Sequence, residues 1–272
     1  MSELDRHATN LVDVVYGNEH LAYDDPTENW FEATKVYRAS MAWDAPGVSR
    51  LLRSPALQQI ATRAGKRFDD MPSIALPASA DPGFSLFQAA ELRRSADRFS
   101  GDPIELQQLA TILDFGYGLV RRPEGLRRRV PSGGALYPLD VFVLASRVSG
   151  LDHGVYHFDP YRDCLAVLGD FDDQMLGHCL LREEAVEGSA ATIVLAASFW
   201  RSRFKYGHRS SRLVFIEAGH VMQNLTLMSA AVGVAGRPYG GFIDDELSQL
   251  TGHTNGVDTA PLYAYVLGVG AD

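Results

Sequence analysis

Lys205 and Tyr206 are neighbours in the chain and could together transfer a proton. A lysine serves as a general base when burial or nearby positive charge lowers its pKa, and Arg201, Arg203 and Arg209 lie close to it in sequence. The tyrosine hydroxyl can donate or accept a hydrogen bond at a substrate atom. The alternative interpretation is an exposed lysine, with its stem along the surface, beside a tyrosine at the edge of the core.

A second candidate is the loop Pro131-Ser132-Gly133-Gly134, which leads into the apolar run Val141–Leu144. Because glycine lacks a Cβ, the backbone of this loop can approach a flat or charged ligand closely. Ser132 can donate and accept hydrogen bonds, and Arg127–Arg129 bring positive charge to the start of the loop. An ordinary glycine turn before a buried strand is the alternative.

Two further stretches flank this loop in sequence. Upstream lies a basic cluster, Arg93, Arg94, Ser95 and Arg98. Guanidinium groups pair with phosphate through two hydrogen bonds and a hydroxyl adds a donor, so the cluster suits a phosphate, with a solvated basic surface as the alternative. Downstream lies Arg237–Phe242, which contains Tyr239, Gly240 and Gly241. The alternative interpretation of this segment is a plain turn.

The three motifs in this order, with Lys205-Tyr206, resemble the flavin-dependent proteins of the nitroreductase fold. More narrowly, the chain is similar to the SagB-type dehydrogenases, which oxidise azolines to azoles during maturation of thiazole/oxazole-modified peptides. The resemblance covers residues 90–270 and extends more weakly to Asn29–Arg38. It departs from many nitroreductases in having Gly134-Ala135 where an asparagine follows the serine, and no Arg or Lys after Arg237.

The resemblance implies an FMN cofactor and assigns each motif a role. The phosphate would be held by Arg93, Arg94, Ser95 and Arg98. The ribityl chain and the edge of the flavin ring would lie along Pro131, Ser132, Gly133 and Gly134. The ring would also contact Tyr239, Gly240 and Gly241, and the N–H groups of the two glycines would face flavin N5 and O4. Azoline oxidation removes a hydride and a proton, so Lys205 and Tyr206 would be catalytic, with lysine as the base.

Two other functions remain open at this stage. One is an NAD(P)H-dependent reductase of nitro compounds or quinones with the same fold. The other is a non-catalytic scaffold that positions a peptide for a partner cyclodehydratase. A peptide substrate and a cyclodehydratase complex are therefore the expected partners.

Composition narrows the class of protein. The 272 residues carry a formal net charge of −9, which argues against a nucleic-acid-binding surface. The two cysteines, Cys164 and Cys179, have no metal-binding spacing, so no metal is expected and a reducing, cytoplasmic location is the simplest interpretation. No apolar run reaches the ~18 residues that a membrane span needs.

The surrounding pattern mixes strands and helices, which indicates an α+β layered fold. We expect a helix capped by Asp102-Pro103 and a long helix, Leu213–Val234, apolar on nearly all sides. The predicted strands are Leu139–Ser146, Gly154–Phe158, Cys164–Leu168, Ala191–Phe199 and Pro261–Gly268. The resemblance makes this a three-layer, nitroreductase-like fold with a central, mainly antiparallel sheet.

The proline-rich segment Met71–Gly83 predicts a boundary between a partly helical N-terminal extension, residues 1–83, and an FMN-binding core, residues 84–272. A helix as apolar as Leu213–Val234 predicts a buried position, and a subunit interface offers one. We therefore expect an obligate homodimer with FMN at its interface, and an interior position for His220 within this helix.

Overall fold

The computed structural model describes residues 26–39, 46–57, 65–123 and 125–271. The chain divides into two compact units, Met1–Met41 and Ala42–Asp272. In the first unit, helix α1 (Pro26–Ala33) starts with proline, which suits the first helical position because it lacks an N–H. The Thr34 hydroxyl bonds back to the carbonyl of Trp30 at 2.7 Å.

The second unit contains the remaining elements. Its helices are α2 (Pro46–Arg53), α3 (Leu86–Leu92), α4 (Leu106–Tyr117), α5 (Asp173–Cys179), α6 (Trp200–Tyr206), α7 (Ser210–Ala231) and α8 (Asp244–Thr251). Its strands are β1 (Ser73–Ala75), β2 (Ile104–Glu105), β3 (Leu119–Arg122), β4 (Gly125–Arg128), β5 (Leu139–Ala145), β6 (Val148–Ser149), β7 (Gly154–Asp159), β8 (Cys164–Gly169), β9 (Ala191–Ser198), β10 (Ala235–Tyr239) and β11 (Thr259–Gly268).

The central sheet has seven strands in the order β1-β8-β7-β5-β9-β11-β10, and every neighbouring pair is antiparallel. Strands β5 and β9 are buried along their whole length, which explains why most of their residues are apolar. Strand β1 comes from the predicted connector and forms one edge of the sheet.

Alternate residues of the central strands point to two separate apolar clusters. On one face, Val141, Val143, Ile193 and Leu195 pack with residues of α4 and α7, including Ile112, Val214 and Leu225. On the other face, Phe142, Leu144 and Val194 pack with residues of α5 and α8, including Leu176 and Leu247. The sheet is therefore the middle layer between two helical layers, which confirms the predicted α+β architecture.

Helix α4 begins later than the sequence predicts. Ile104 and Glu105 form strand β2, which pairs in parallel with Val148 and Ser149, so the predicted helix start at Asp102-Pro103 is wrong. The Ile104 N–H donates to the carbonyl of Arg147 at 3.2 Å, and this long-range pairing overrides the local capping signal. The backbone N–H of Glu105 is instead satisfied by the side chain of Gln108 at 2.9 Å.

Helix α7 also differs from its prediction. It runs from Ser210 to Ala231, three residues ahead of the predicted range, and Gly233 with φ +74° follows its end. One stripe is exposed, with Ile216 at 55% of its accessible surface, and His220 lies on it. The predicted interior position of His220 is wrong, because His220 is exposed and the apolar sequence of α7 extends onto a face that the described residues leave uncovered.

Candidate active site

The loop Ser132–Tyr137 has an unusual backbone. Gly134, Ala135 and Tyr137 adopt left-handed φ values of 64°, 56° and 47°, although two of them carry a side chain. Such conformations cost free energy and cluster at functional sites. The Ser132 side chain holds the loop together, since its Oγ accepts a hydrogen bond from the backbone N–H of Tyr137 at 2.9 Å.

Lys205 and Tyr206 lie against this loop. They end helix α6, 71 positions after Gly134 in sequence, and both side chains are half-buried. A Cβ placed on Gly134 would come within 2.5 Å of the Tyr206 hydroxyl and closer still to the Lys205 Nζ atom. The structure therefore brings together the predicted catalytic pair and the predicted ligand loop, and a Cβ on Gly134 would displace the ends of both side chains.

A buried ion pair fixes the start of helix α6. Both carboxylate oxygens of Asp140 accept hydrogen bonds from Arg201 Nη2, at 2.9 and 2.7 Å. The Ser198 hydroxyl and the Lys66 N–H also donate to Asp140, at 2.9 and 3.0 Å. Asp140 is the second residue of strand β5, which follows the loop, so the pair joins the strand after the loop to the helix that carries Lys205.

The pKa of Asp140 reflects this environment. Burial alone would raise that pKa, but the His157 imidazole, 3.8 Å away, and the charge of Arg201 outweigh it and hold the pKa well below the usual carboxyl range. Arg201 was expected to act on Lys205. Its guanidinium is instead bound to Asp140, so its role is structural support of the helix.

Glu217 is a site residue to which sequence reasoning assigned no role. It lies in α7 with 2% of its surface exposed, and the Tyr117 hydroxyl donates to its Oε1 atom at 2.7 Å. Burial raises the pKa of Glu217 to about 7, against the opposing influence of the Ser132 hydroxyl, the hydrogen bond from Tyr117 and the charge of Arg128. The available signal was a carboxylate inside an otherwise apolar helical sequence; its partners could not be deduced from spacing.

The predicted phosphate cluster lines a different cavity of about 540 Å³. Arg94, Ser95 and Arg98 face this cavity together with Thr226 and Ala230 near the C-terminal end of α7. The segment is held on the sheet because the Ala96 N–H donates to the carbonyl of Gly236, the second residue of β10, at 3.0 Å. Three of the four predicted residues thus line one cavity.

Arg93 lies beside the same cavity, near the phenol of Tyr265. Burial raises the pKa of Tyr265 to about 12, against the influence of the nearby Ser229 hydroxyl and the positive charge of Arg93. Asp97, the one acidic residue within the cluster, also lines the cavity, and its carboxylate pairs with Arg237 at 2.8 Å. Its negative charge is therefore balanced by that arginine.

Strand β10 connects this cavity to the third motif. Gly236 pairs with Ser95 near the start of the strand, and Gly240 and Gly241 follow its end, exposed, after buried Tyr239. The four steps from Gly236 to Gly240 span about 13 Å of extended chain. This separation suits a ligand with its anion at one end of the strand and a ring at the other.

The loop and the arginine cavity lie at opposite ends of helix α7. A Cβ on Gly133 would lie 3.0 Å from Leu213 Cδ1, in the first turn of α7, whereas Thr226 lines the arginine cavity. Thirteen helical residues span about 20 Å. Within one chain, the Lys205 site and the phosphate cluster are therefore separate.

Two negative findings apply to the described ranges only. Within them, no group of three or more His, Cys, Asp or Glu side chains could hold a metal ion. No helix there combines the length and apolar character of a membrane span.

Comparisons with known proteins agree with this architecture. The Nitroreductase family model matches residues 90–270. MJ1384 of Methanocaldococcus jannaschii, a nitroreductase by name, is 33% identical over 162 residues, which are 58% of this chain and 79% of MJ1384. The microcin B17-processing protein McbC of Escherichia coli is 30% identical over 133 residues, so the match spans 47% of this chain and only 49% of McbC.

Solved structures share the fold at lower identity. A protein from Anabaena variabilis, solved as a nitroreductase, superimposes with a TM-score of 0.65 at 24% identity, covering 76% of this chain and 43% of that one. A chain of the E. coli McbBCD microcin synthetase complex, solved with truncated pro-MccB17 bound, gives a TM-score of 0.58 at 20% identity, covering 98% of this chain and 100% of that one. With the family model matched over most of the layered unit, the chain belongs to the nitroreductase family.

Proposed function

We propose that this protein is an FMN-dependent dehydrogenase that oxidises azoline rings to azoles in a ribosomally made peptide. Membership of the nitroreductase family supports an oxidoreductase. The observation that carries the finer proposal is the contact between Gly134 and the Lys205-Tyr206 pair, because it puts a base and a hydroxyl donor against a glycine loop. McbC and TfxB, a trifolitoxin-processing protein of Rhizobium leguminosarum, are both peptide-processing proteins by name.

The residues present fit an FMN cofactor. Arg94, Ser95 and Arg98 line a cavity that offers guanidinium and hydroxyl donors to a phosphate. Gly134 has no side chain where a Cβ would fill the space before Lys205, and Gly240 and Gly241 leave backbone N–H groups exposed. When bound, FMN supplies the two-electron acceptor of the oxidation.

The chain's own contribution is proton transfer and orientation. Oxidation of an azoline removes two hydrogens from adjacent ring atoms, one as hydride and one as a proton. Lys205 Nζ is the group that takes the proton, and the Tyr206 hydroxyl can hydrogen-bond to the ring heteroatom. The Asp140–Arg201 pair holds helix α6 so that both groups face the loop.

The separation of the two half-sites supports a homodimer. In a two-fold dimer each subunit presents the same surface to the other, so the loop of one copy can meet the arginine cavity of its partner. The exposed stripe of α7 with Ile216 lies between the two half-sites and offers an apolar contact surface. We therefore propose one FMN site at each end of a shared α7 interface.

The McbBCD complex also supports a larger assembly. A chain of that complex matches nearly all of this chain in fold and was solved with its pro-peptide bound. We propose that the protein acts on a peptide within a complex that contains a cyclodehydratase, since azoline rings must be formed before they are oxidised.

A reductase is the second candidate function, favoured by the 33% identity to MJ1384. Stopped-flow experiments distinguish the two functions: the yellow, FMN-loaded protein is mixed with NADPH and, separately, with an azoline-containing peptide. Rapid bleaching by NADPH without azole formation would favour the reductase. A colourless protein that gains no chromophore from FMN would refute both and favour the scaffold.

The role of Lys205 has a matched test. Lys205→Ala should keep the flavin spectrum but lower azoline oxidation by ~10²–10⁴, the usual loss for a general base. Arg203→Ala is the control, because Arg203 is an exposed cation on the same helix, stacked on Trp200 at 4.8 Å. Equal turnover of the two variants would show that Lys205 is an ordinary surface lysine.

A further inference from the structure

The hairpin formed by β3 and β4 concentrates positive charge beside the active-site loop. Five arginines lie between positions 121 and 129, in a chain whose formal net charge is −9. Two of them fix the hairpin to the end of helix α4. Arg128 is buried and its Nη1 atom donates to the carbonyl of Tyr117 at 3.0 Å, and Arg129 pairs with Asp114 at 2.7 Å. These two arginines therefore have structural partners.

The other three arginines of the hairpin, Arg121, Arg122 and Arg127, are exposed. Among the residues that the structure describes, none of the three forms an ion pair with a carboxylate. The Arg127 Nη1 atom donates to the carbonyl of Leu126 at 2.8 Å, a neutral acceptor that leaves the positive charge unbalanced. Since exposed arginines are common on protein surfaces, a second feature is needed before this charge indicates a site.

That second feature is a cavity of about 280 Å³ between the hairpin and the active-site loop. Most of its lining side chains are apolar or aromatic, namely Leu119, Leu126, Ala135, Tyr137 and Tyr161, and Arg127 also lines it. Ala135 directly follows Gly134, where a Cβ would meet Lys205 and Tyr206. The cavity therefore begins one residue away from the contact of the proposed catalytic pair with the loop.

The register of the hairpin sets the spacing of its groups. Arg121 lies opposite Leu126, and it follows Leu119 by two positions. Because side chains alternate along a strand, these three residues share one face of the hairpin, and Arg122 points to the other. Positions two apart in a strand are separated by about 7 Å. The face thus presents an apolar cavity and, about 7 Å further on, a cation.

An extended peptide matches this spacing, because its own side chains on one side also recur every two residues, about 7 Å apart. A compact anion such as a nucleotide phosphate matches it less well. Phosphate is bound by guanidinium groups that converge on one point, whereas the consecutive residues Arg121 and Arg122 point to opposite faces.

We propose that the face of the hairpin carrying Leu119, Arg121 and Leu126 binds an extended segment of the peptide substrate. An apolar side chain of that segment occupies the cavity, and an acidic side chain two positions along pairs with Arg121. Arg127 adds positive charge at the cavity. That this peptide is the substrate rests on the proposed function, whereas the binding of the peptide does not.

Fluorescence anisotropy tests the binding without any chemistry. The FMN-loaded wild type is titrated into a short fluorescein-labelled peptide with a Leu-Gly-Glu core and no azoline, and into matched peptides with Gln or Lys in place of Glu. Arg121→Gln should raise the Kd of the Glu peptide about fivefold, the factor for one exposed ion pair, and leave the Gln peptide unchanged. Arg122→Gln is the matched control, because it removes the same charge from the adjacent residue on the opposite face. Equal losses in the two variants would overturn the proposal.

Charge reversal and the cavity give two sharper measurements. Arg121→Glu should bind the Lys peptide more tightly than the Glu peptide, whereas Arg122→Glu should keep the wild-type order. Leu126→Ala should weaken binding of the Leu-Gly-Glu peptide but have no added effect on an Ala-Gly-Glu peptide, because the two changes remove the same contact. Additive losses would show that the peptide side chain lies outside the cavity and would refute this part of the proposal.

Turnover separates this proposal from the proposed function. With thiazoline peptides that carry the same segment, Arg121→Gln should raise KM about fivefold and keep kcat within about twofold, since Arg121 lies away from the reacting atoms. Azoline oxidation whose KM ignores both Arg121 and the peptide glutamate would keep the function and overturn the peptide site. Selective binding of the Glu peptide by a protein that oxidises no azoline would remove the function and keep the peptide site.

NADPH is the competing ligand in the same titrations. An Arg121→Gln variant that loses affinity for NADPH but binds the Glu peptide as the wild type does would make this face a nucleotide site and overturn the proposal. Should a hairpin variant fail to fold, the Glu, Gln and Lys peptides on the wild type still decide the matter, because equal Kd values for the three would refute recognition of an acidic side chain.

Discussion

Replacing Asp140 by asparagine should destabilise the protein by removing the anchor of helix α6. The asparagine has nearly the same shape, but its NH2 group would face donors, namely Arg201 Nη2 and the Lys66 N–H. Asp140 is 4% exposed and the Arg201 side chain 14% exposed, so water replaces little of the lost interaction. Removing one partner of a buried pair costs about 3–5 kcal/mol.

Calorimetry or a thermal scan measures this loss. For a unit of this size, each kcal/mol lowers Tm by about 2–4 °C, so Asp140→Asn should melt roughly 6–20 °C below the wild type. The difference should persist at neutral pH. It should shrink below about pH 4, because a carboxylate with a depressed folded pKa contributes stability above its unfolded pKa and loses it as the pH falls.

Asp114→Asn is the matched control. Asp114 and Arg129 form a pair with the same 2.7 Å separation, but their side chains are 23% and 34% exposed. An exposed pair contributes ~1 kcal/mol or less, so this variant should melt within a few degrees of the wild type. Equal Tm losses for the two variants would refute the idea that burial makes the Asp140 pair important.

Three further predictions concern the site and the assembly. Gly134→Ala should abolish azoline oxidation and lower stability by about 1–2 kcal/mol, measured by turnover and urea unfolding, because its φ of 64° and the nearby Lys205-Tyr206 pair both disfavour a Cβ; normal turnover would contradict the described loop contact. Ile216→Glu should convert a dimer to a monomer in light scattering, since Ile216 is 55% exposed in the single chain, whereas an unchanged mass would remove α7 from the interface. The free energy of unfolding should fall by about 3 kcal/mol as the pH rises from 4.5 to above 7, because burial raises the pKa of Glu217 from 4.5 to about 7. Glu217→Gln should flatten this part of the curve of stability against pH, and a variant that keeps the full slope would show that another group titrates there.

The strands of the sheet were largely accessible to sequence reasoning. The predicted strand Gly154–Phe158 differs from β7 by one residue, because a turn at Asp159-Pro160 bounds an apolar run. Helix α4 was placed too early because the capping signal at Asp102 is local, whereas the pairing of Ile104 with Val148 is set by the rest of the fold. Local signals thus located elements but not the ends that tertiary pairing decides.

The candidate site shows the same contrast between what the sequence predicts and what only the folded chain reveals. The proximity of Lys205 to Gly134 was expected from family resemblance, since no spacing rule connects residues 71 positions apart. The hydrogen bond between Tyr117 and Glu217 had no such guide, because it joins two helices that meet only in the folded chain. Likewise, the separation of the two half-sites became visible only once α7 had a position between them.

The β-bridge between Ser95 and Gly236 affects how readily the protein can aggregate. Strand β10 is the last strand of the sheet, and an edge strand with free N–H and C=O groups is a template for pairing with another chain. The Arg94–Arg98 segment covers part of that edge while it lines the phosphate cavity. Anything that detaches this segment therefore exposes an edge strand that can pair with another chain, so the segment also protects the folded protein against aggregation.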